Sequence, residues 1–169
     1  KLPSQRISGT KNRVYDVFFD SCDPDDSRRT LIVSQYINTK GAIVTQPANQ
    51  RSPFKYTPDP DADGPQNGND FPMIRYADIL LSKAEALNEI NGPTQEALDL
   101  INEVRGRAGI ADLTLADAPS KEVLRDLILD ERGWEFWGEA KRREDLVRHG
   151  KLVERARTLE QRRIPGLRL

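Results

Sequence analysis

The segment from Asn69 to Gly109 limits the fold of this chain more than any other part of it. Apolar residues recur at steps of three and four through Tyr76, Leu80, Ala84 and Leu87, and again through Ala97, Ile101, Val104 and Ala108. That spacing places each set on one face of an α-helix. Between them stand Asn91, Gly92 and Pro93. Glycine accepts the positive φ that ends a helix, and proline then lacks the N–H that another turn would need. A connection this short sends the second helix back antiparallel to the first, stripe against stripe. One such hairpin cannot cover its own apolar faces, so other helices must pack on it.

The next periodic run supplies one of them. Ser120 follows Pro119 in position to cap a helix, and Glu122 places an acid in its first turn. The pattern predicts helices near 72–90, 94–108, 120–137 and 139–149, and a weaker one over 151–160. Gly150, after Arg148 and His149, is a stop preceded by basic residues. Gly133 and Gly138 interrupt the third and fourth stretches beside Trp134, Phe136 and Trp137, where they mark a kink or a close backbone approach.

Residues 1–70 have a different texture. Residues 31–37 and 42–45 are rich in β-formers and flank a turn at 38–41, which predicts a small β-hairpin. Five prolines (Pro47, Pro53, Pro58, Pro60 and Pro65) make 47–70 a loop with no regular element. The expected organisation is a loop-rich region over 1–70 and a helical region over 71–169, both parts of one larger fold. The fold class is mainly all-α, built from antiparallel helix hairpins of tetratricopeptide-like type. The Ala-rich contact and the Tyr, Ala-x-Ala, Asn spacing agree with such a unit, although no second copy recurs at a fixed period.

Residues 75–89 (RYADILLSKAEALNE), 97–109 (ALDLINEVRGRAG), 124–151 (LRDLILDERGWEFWGEAKRREDLVRHGK) and 25–29 (DDSRR) together resemble the SusD/RagB family, in order and spacing, over most of residues 20–165. The resemblance is to the C-terminal part of much longer proteins, and both ends are expected to continue. It implies a surface-exposed lipoprotein of the Bacteroidetes outer membrane, with its lipid anchor outside this chain. It implies non-enzymatic binding of an oligosaccharide and its delivery to a TonB-dependent, SusC-like transporter. The family's sugar contacts are not tied to these motifs, so no ligand-binding residue is carried over. The alternative is a helical-repeat protein-interaction scaffold that binds no sugar.

Charge excludes one class of partner. With 27 acidic and 26 basic residues the net charge is −1, so no basic field exists for nucleic acid. The signs are interleaved, as in Glu139/Arg143 and Glu144/Arg148, which read as i,i+4 pairs on a solvated helix face. No apolar run reaches the roughly 18 residues of a membrane span. The start, Lys1-Leu2-Pro3-Ser4, has no apolar signal region. Cys22 follows Phe18-Phe19-Asp20-Ser21, which is not a lipoprotein cleavage site, and as the single cysteine it has no internal disulfide partner.

Several constellations could carry chemistry. Asp59, Asp61, Asp63, the carbonyl of Pro65, Asn67 and Asp70, with Gly64 at the turn, follow the donor order of an EF-hand loop. Asp70 in place of a bidentate Glu, Gln66 at the apolar position and the lack of a preceding helix favour a flexible acidic linker instead. Calcium is the one cofactor to test. His149, beside the helix stop, reads as a cap rather than a base. Glu131 and Glu135 stand one turn apart, but glycosidase carboxyls usually come from separate elements across a cleft. Nearby Arg125 and Arg132 account for them as ion-pair partners, so the chain reads as no enzyme. Trp134 and Trp137 are sugar-stacking residues by type, yet their apolar neighbours assign them to the core. Tyr36, Phe54 and Tyr56, in the looped half, are the other aromatics from which a sugar contact could come.

Overall fold

A computed structural model describes residues 13–56 and 68–163, without the side chains of 159–163. They fall into two compact units, one from the described residues of 1–24 and 28–71, the other from 25–27 and 72–163.

The first unit is held by short pairings. A single-turn helix α1 (Asp16–Ser21) precedes four short strands: β1 (Ile32–Val33), β2 (Gln35–Ile37), β3 (Ile43–Thr45) and β4 (Ser52–Pro53). β2 and β3 form the expected antiparallel hairpin, with Tyr36 opposite Val44. Asn38 shapes its turn: Oδ1 accepts hydrogen bonds from the N–H groups of Lys40 (2.9 Å) and Ala42 (3.0 Å). Gly41 then takes the left-handed φ of 80°. The stretch after residue 47 is not free of regular structure, contrary to the sequence reading. β4 pairs antiparallel with β1, and Val14 bridges Arg51. Pro53 is tolerated there because a two-residue edge strand does not need its missing N–H. Asp16 fastens this return: it accepts from the Asn49 N–H (3.0 Å) and the Arg51 Nε (2.7 Å). The Arg29 and Arg51 guanidinium carbons stand 4.1 and 3.9 Å from the centre of the Phe19 ring.

The second unit is helical, as the periodicity requires. α2 (Tyr76–Asn91) and α3 (Gln95–Ala108) form the antiparallel hairpin. Gly92 turns the chain with φ 76° and ψ −166°, and the Thr94 hydroxyl caps α3 by accepting from the Ala97 N–H at 3.2 Å. α4 (Lys121–Glu135) follows, capped by Ser120, whose hydroxyl accepts from the Val123 N–H. It packs across the hairpin, so that Leu81, Ala84, Leu98, Ile101, Leu124 and Ile128 form one sealed core with Phe136. α5 (Arg142–Arg148) and α6 (Leu152–Arg163) complete the unit.

Two expectations change here. Tyr76 is not part of the buried stripe: it is 68% exposed, and Ala77 and Leu81 take its place. α2 starts at Tyr76 rather than near 72, because Arg75 is extended (φ −125°, ψ 157°) with its side chain committed to α4 and the turn after it. The third and fourth stretches separate at Phe136–Lys141, where Gly138 and Ala140 both adopt positive φ. Gly133 is the predicted close approach: a Cβ there would lie 3.0 Å from the Arg142 guanidinium, which donates to the Leu129 carbonyl at 2.5 Å.

Gly92 and Gly106 give opposite expected results on substitution. Gly92→Ala forces alanine into a region almost reserved for glycine, and urea unfolding should show a loss of about 1–3 kcal/mol. Gly106 lies inside α3, exposed, with open space around its absent Cβ, so Gly106→Ala should gain about 0.5–1 kcal/mol.

Candidate functional site

The charged residues of the helical unit are arranged as a lattice. α2 presents Asp78, Ser82, Glu85 and Glu89 at steps of four, three and four, which is one helix face. Opposite them stand Arg132 from α4, Lys141 before α5, and Glu144, Asp145 and Arg148 from α5. Together they line an open cleft of about 480 Å³.

Buried Arg132 is the centre of this lattice. Its Nε donates to Asp145 Oδ2 at 2.9 Å and its Nη1 to Asp78 Oδ1 at 3.0 Å and Ser82 Oγ at 3.3 Å. Lys141 Nζ donates to the second Asp78 oxygen at 2.8 Å and to the Met73 carbonyl at 3.0 Å. Burial works against the Asp78 charge, but the hydrogen bonds from Lys141 and Arg132 outweigh it and hold that carboxyl below its usual pKa. Arg148 grips both oxygens of Glu85 and donates to Asp145 at 3.0 Å. His149 Nε2 lies 3.3 Å from Glu85 Oε1, within ion-pair reach only when the ring is charged, and makes no hydrogen bond.

A second cluster gathers at the C-terminal end of α4 and in the turn after it. Arg75 donates from Nε and Nη2 to the two oxygens of Glu139 (2.9 and 2.8 Å) and from Nη1 to Glu135 at 2.8 Å. Arg107 takes the other Glu135 oxygen, and Arg105 reaches Glu131 at 3.1 Å. At the cleft's far edge Arg125 grips Glu89 in a fork (2.6 and 2.8 Å), the main reason the Glu89 pKa drops to about 2.

Several sequence assignments need correction against this geometry. Glu131 and Glu135 are indeed ion-paired, but with Arg105, Arg75 and Arg107 rather than Arg125 and Arg132. Residues 131 and 132 are adjacent on a helix and point apart, which the sequence reading overlooked. Glu139 and Arg143 are not a solvated i,i+4 pair: Glu139 is 3% exposed, lies in a turn, and belongs to Arg75. Arg148 bonds Glu85 and Asp145 instead of Glu144. His149 does close α5, but with its backbone N–H on the Asp145 carbonyl, while its imidazole is buried against α2. Trp137 is buried and Trp134 half-buried, in keeping with core packing. Tyr36 and Phe54 are half-buried, and Tyr56 is exposed with its ring 6.2 Å from that of Phe71. Of the calcium candidates, Asp59, Asp61, Asp63 and Asn67 lie outside the described residues, as do Gly64 and Pro65; Asp70 is described and exposed. Among the described residues no cluster of three or more His, Cys, Asp or Glu side chains could hold a metal ion. No described helix is long and apolar enough to cross a membrane.

Sequence reasoning missed Arg75, Asp78, Glu85 and Asp145. One signal was available for their counterparts on α4: Glu131 and Glu135 continue the register of buried Leu124 and Ile128 at steps of four, three and four. An acid on a buried stripe demands a cation from elsewhere in the fold.

The family model for the SusD family matches residues 26–163. The chain belongs to the SusD family. Among curated members, SusD-like protein P38 of Formosa agariphila is 42% identical over 88 residues, covering 48% of this chain and 17% of the relative. SusD-like protein P25 of the same organism is 42% identical over 92 residues, covering 53% of this chain and 17% of the relative. A crystal structure of a SusD-like protein from Bacteroides fragilis superposes with a TM-score of 0.53 at 27% identity, over 72% of this chain and 27% of the other. This SusD-family chain thus spans about 17% of the length of the curated relatives it matches. The mainly helical hairpin architecture expected from the sequence is the one found.

Proposed function

We propose that this SusD-family chain serves in nutrient uptake as part of a glycan-binding protein at the bacterial outer-membrane surface. That protein captures an oligosaccharide and hands it to a SusC-like, TonB-dependent transporter, breaking no bond. Family membership over residues 26–163 carries this reading. The lattice supports binding without turnover, since Glu131, Glu135 and Glu139 are each paired with at least one arginine and shielded from solvent. Glycoside cleavage needs two carboxyls flanking one bond, one of them free to give a proton.

A second reading, a protein-interaction scaffold without sugar binding, has one observation in its favour. Tyr76, Ile79 and Ile90 lie on one outward face of α2, with Met73 and Ile74 just ahead of it, and all five are exposed. Affinity electrophoresis of the whole protein through gels containing a panel of polysaccharides separates the two. Retardation by at least one glycan, without release of reducing ends, is the expected result. Unretarded migration in every gel overturns glycan capture and leaves the scaffold reading.

A further inference from the structure

The chain's only histidine stands beside a carboxylate oxygen that an arginine already holds. Arg148 Nη1 donates to Glu85 Oε1, and His149 Nε2 lies 3.3 Å from the same atom without hydrogen-bonding it. The other charged groups acting on the ring are Arg125 from α4 and Asp145 from its own helix. Lys151, which follows on the α6 side, is committed to Asp126 of α4.

We propose that His149 is a proton-operated latch: neutral, it leaves Glu85 to Arg148; protonated, its Nε2–H takes Glu85 Oε1 and frees one arm of Arg148 into the cleft. The geometry decides which partner moves. The His149 side chain is 4% exposed and has no room to leave, whereas Arg148 is 48% exposed and keeps its second anchor on Asp145. An unpaired buried polar atom is costly, and Nε2 has no hydrogen-bond partner among the described residues. Protonation gives that atom a partner, and the Arg148 arm it displaces leaves an unpaired positive charge in the cleft that Arg148 lines with Glu144 and Glu89. The latch therefore changes the charge facing any ligand of the cleft without unfolding the unit.

Burial, the largest influence, holds the ring's pKa below the ordinary imidazole value of 6.5; Glu85 and Asp145 oppose it, while Arg148 and Arg125 add to it. The latch thus works in mildly acidic solution. Folded His149 is neutral where unfolded His149 already takes a proton, so stability falls as pH drops through 6.5 and stops falling once the folded ring is charged.

A two-dimensional NMR titration of the whole protein, read at the assigned imidazole signal of His149, tests this. Three results are expected: a midpoint below 6.5, an Arg148 Nε–H resonance that shifts with the same midpoint, and a midpoint moved to lower pH in Glu85→Gln. The Arg148 response should vanish in His149→Gln. A wild-type ring titrating at 6.5 or above, or an Arg148 resonance that stays still while the ring titrates, overturns the latch; neither reading requires a variant to fold.

Discussion

Replacing Arg132 with alanine is expected to lower the unfolding free energy by about 3–5 kcal/mol, measured by urea denaturation. Arg132 donates to Asp145 Oδ2 at 2.9 Å, and that carboxylate's side chain is 5% exposed. Among the described residues, deleting the guanidinium leaves Arg148 as the ion-pair partner of Asp145 and Lys141 as that of Asp78. It also removes a cation 5.1 Å from the Phe136 ring. A matched control separates burial from charge count. Arg125 makes the shorter, forked contact with Glu89, yet both side chains are about one-third exposed, so Arg125→Ala should change stability by no more than about 1 kcal/mol. Equal losses for the two variants would mean that burial does not set the worth of these pairs.

The second large effect lies in the apolar core. Leu81 is fully buried where α2 meets its neighbours, in a cluster with Leu98, Ile101 and Ile128. Leu81→Ala should cost about 2–5 kcal/mol, since the surrounding side chains, fixed in shape, cannot all collapse into the space. Tyr76→Ala, on the stripe that periodicity alone assigns to the core, should move stability by no more than about 0.5 kcal/mol. Chemical denaturation of both variants distinguishes the face of α2 that packs from the face that does not.

These contrasts show which features were legible in the sequence. The α2–α3 hairpin was, because its information is local: two apolar periods and an Asn-Gly-Pro break say helix, stop, helix. So was the β2–β3 hairpin, whose turn is made by Asn38 and Gly41 within a few residues. The pairing of β1 with β4 was not, since two-residue strands some twenty residues apart carry no period and Pro53 argues against a strand. Tyr76 was misplaced because helical spacing cannot show where the first turn begins, and Arg75 sets that boundary through contacts sixty or more residues ahead. The acids of α4 were read as locally paired because i,i+4 spacing is visible in a sequence and long-range partners are not. Arg105 to Glu131, Arg75 to Glu139 and Arg148 to Glu85 all join different elements of the fold. In such a unit, charge acts as the clamp between helices as well as the solvated surface.

A double-mutant cycle between Arg132 and Asp145, followed by urea unfolding, tests most directly whether buried charge clamps α4 to α5. A coupling of about 1.5–3 kcal/mol is expected from Arg132→Ala, Asp145→Ala and the double variant together. Additive losses, with coupling below about 0.5 kcal/mol, would contradict the clamp.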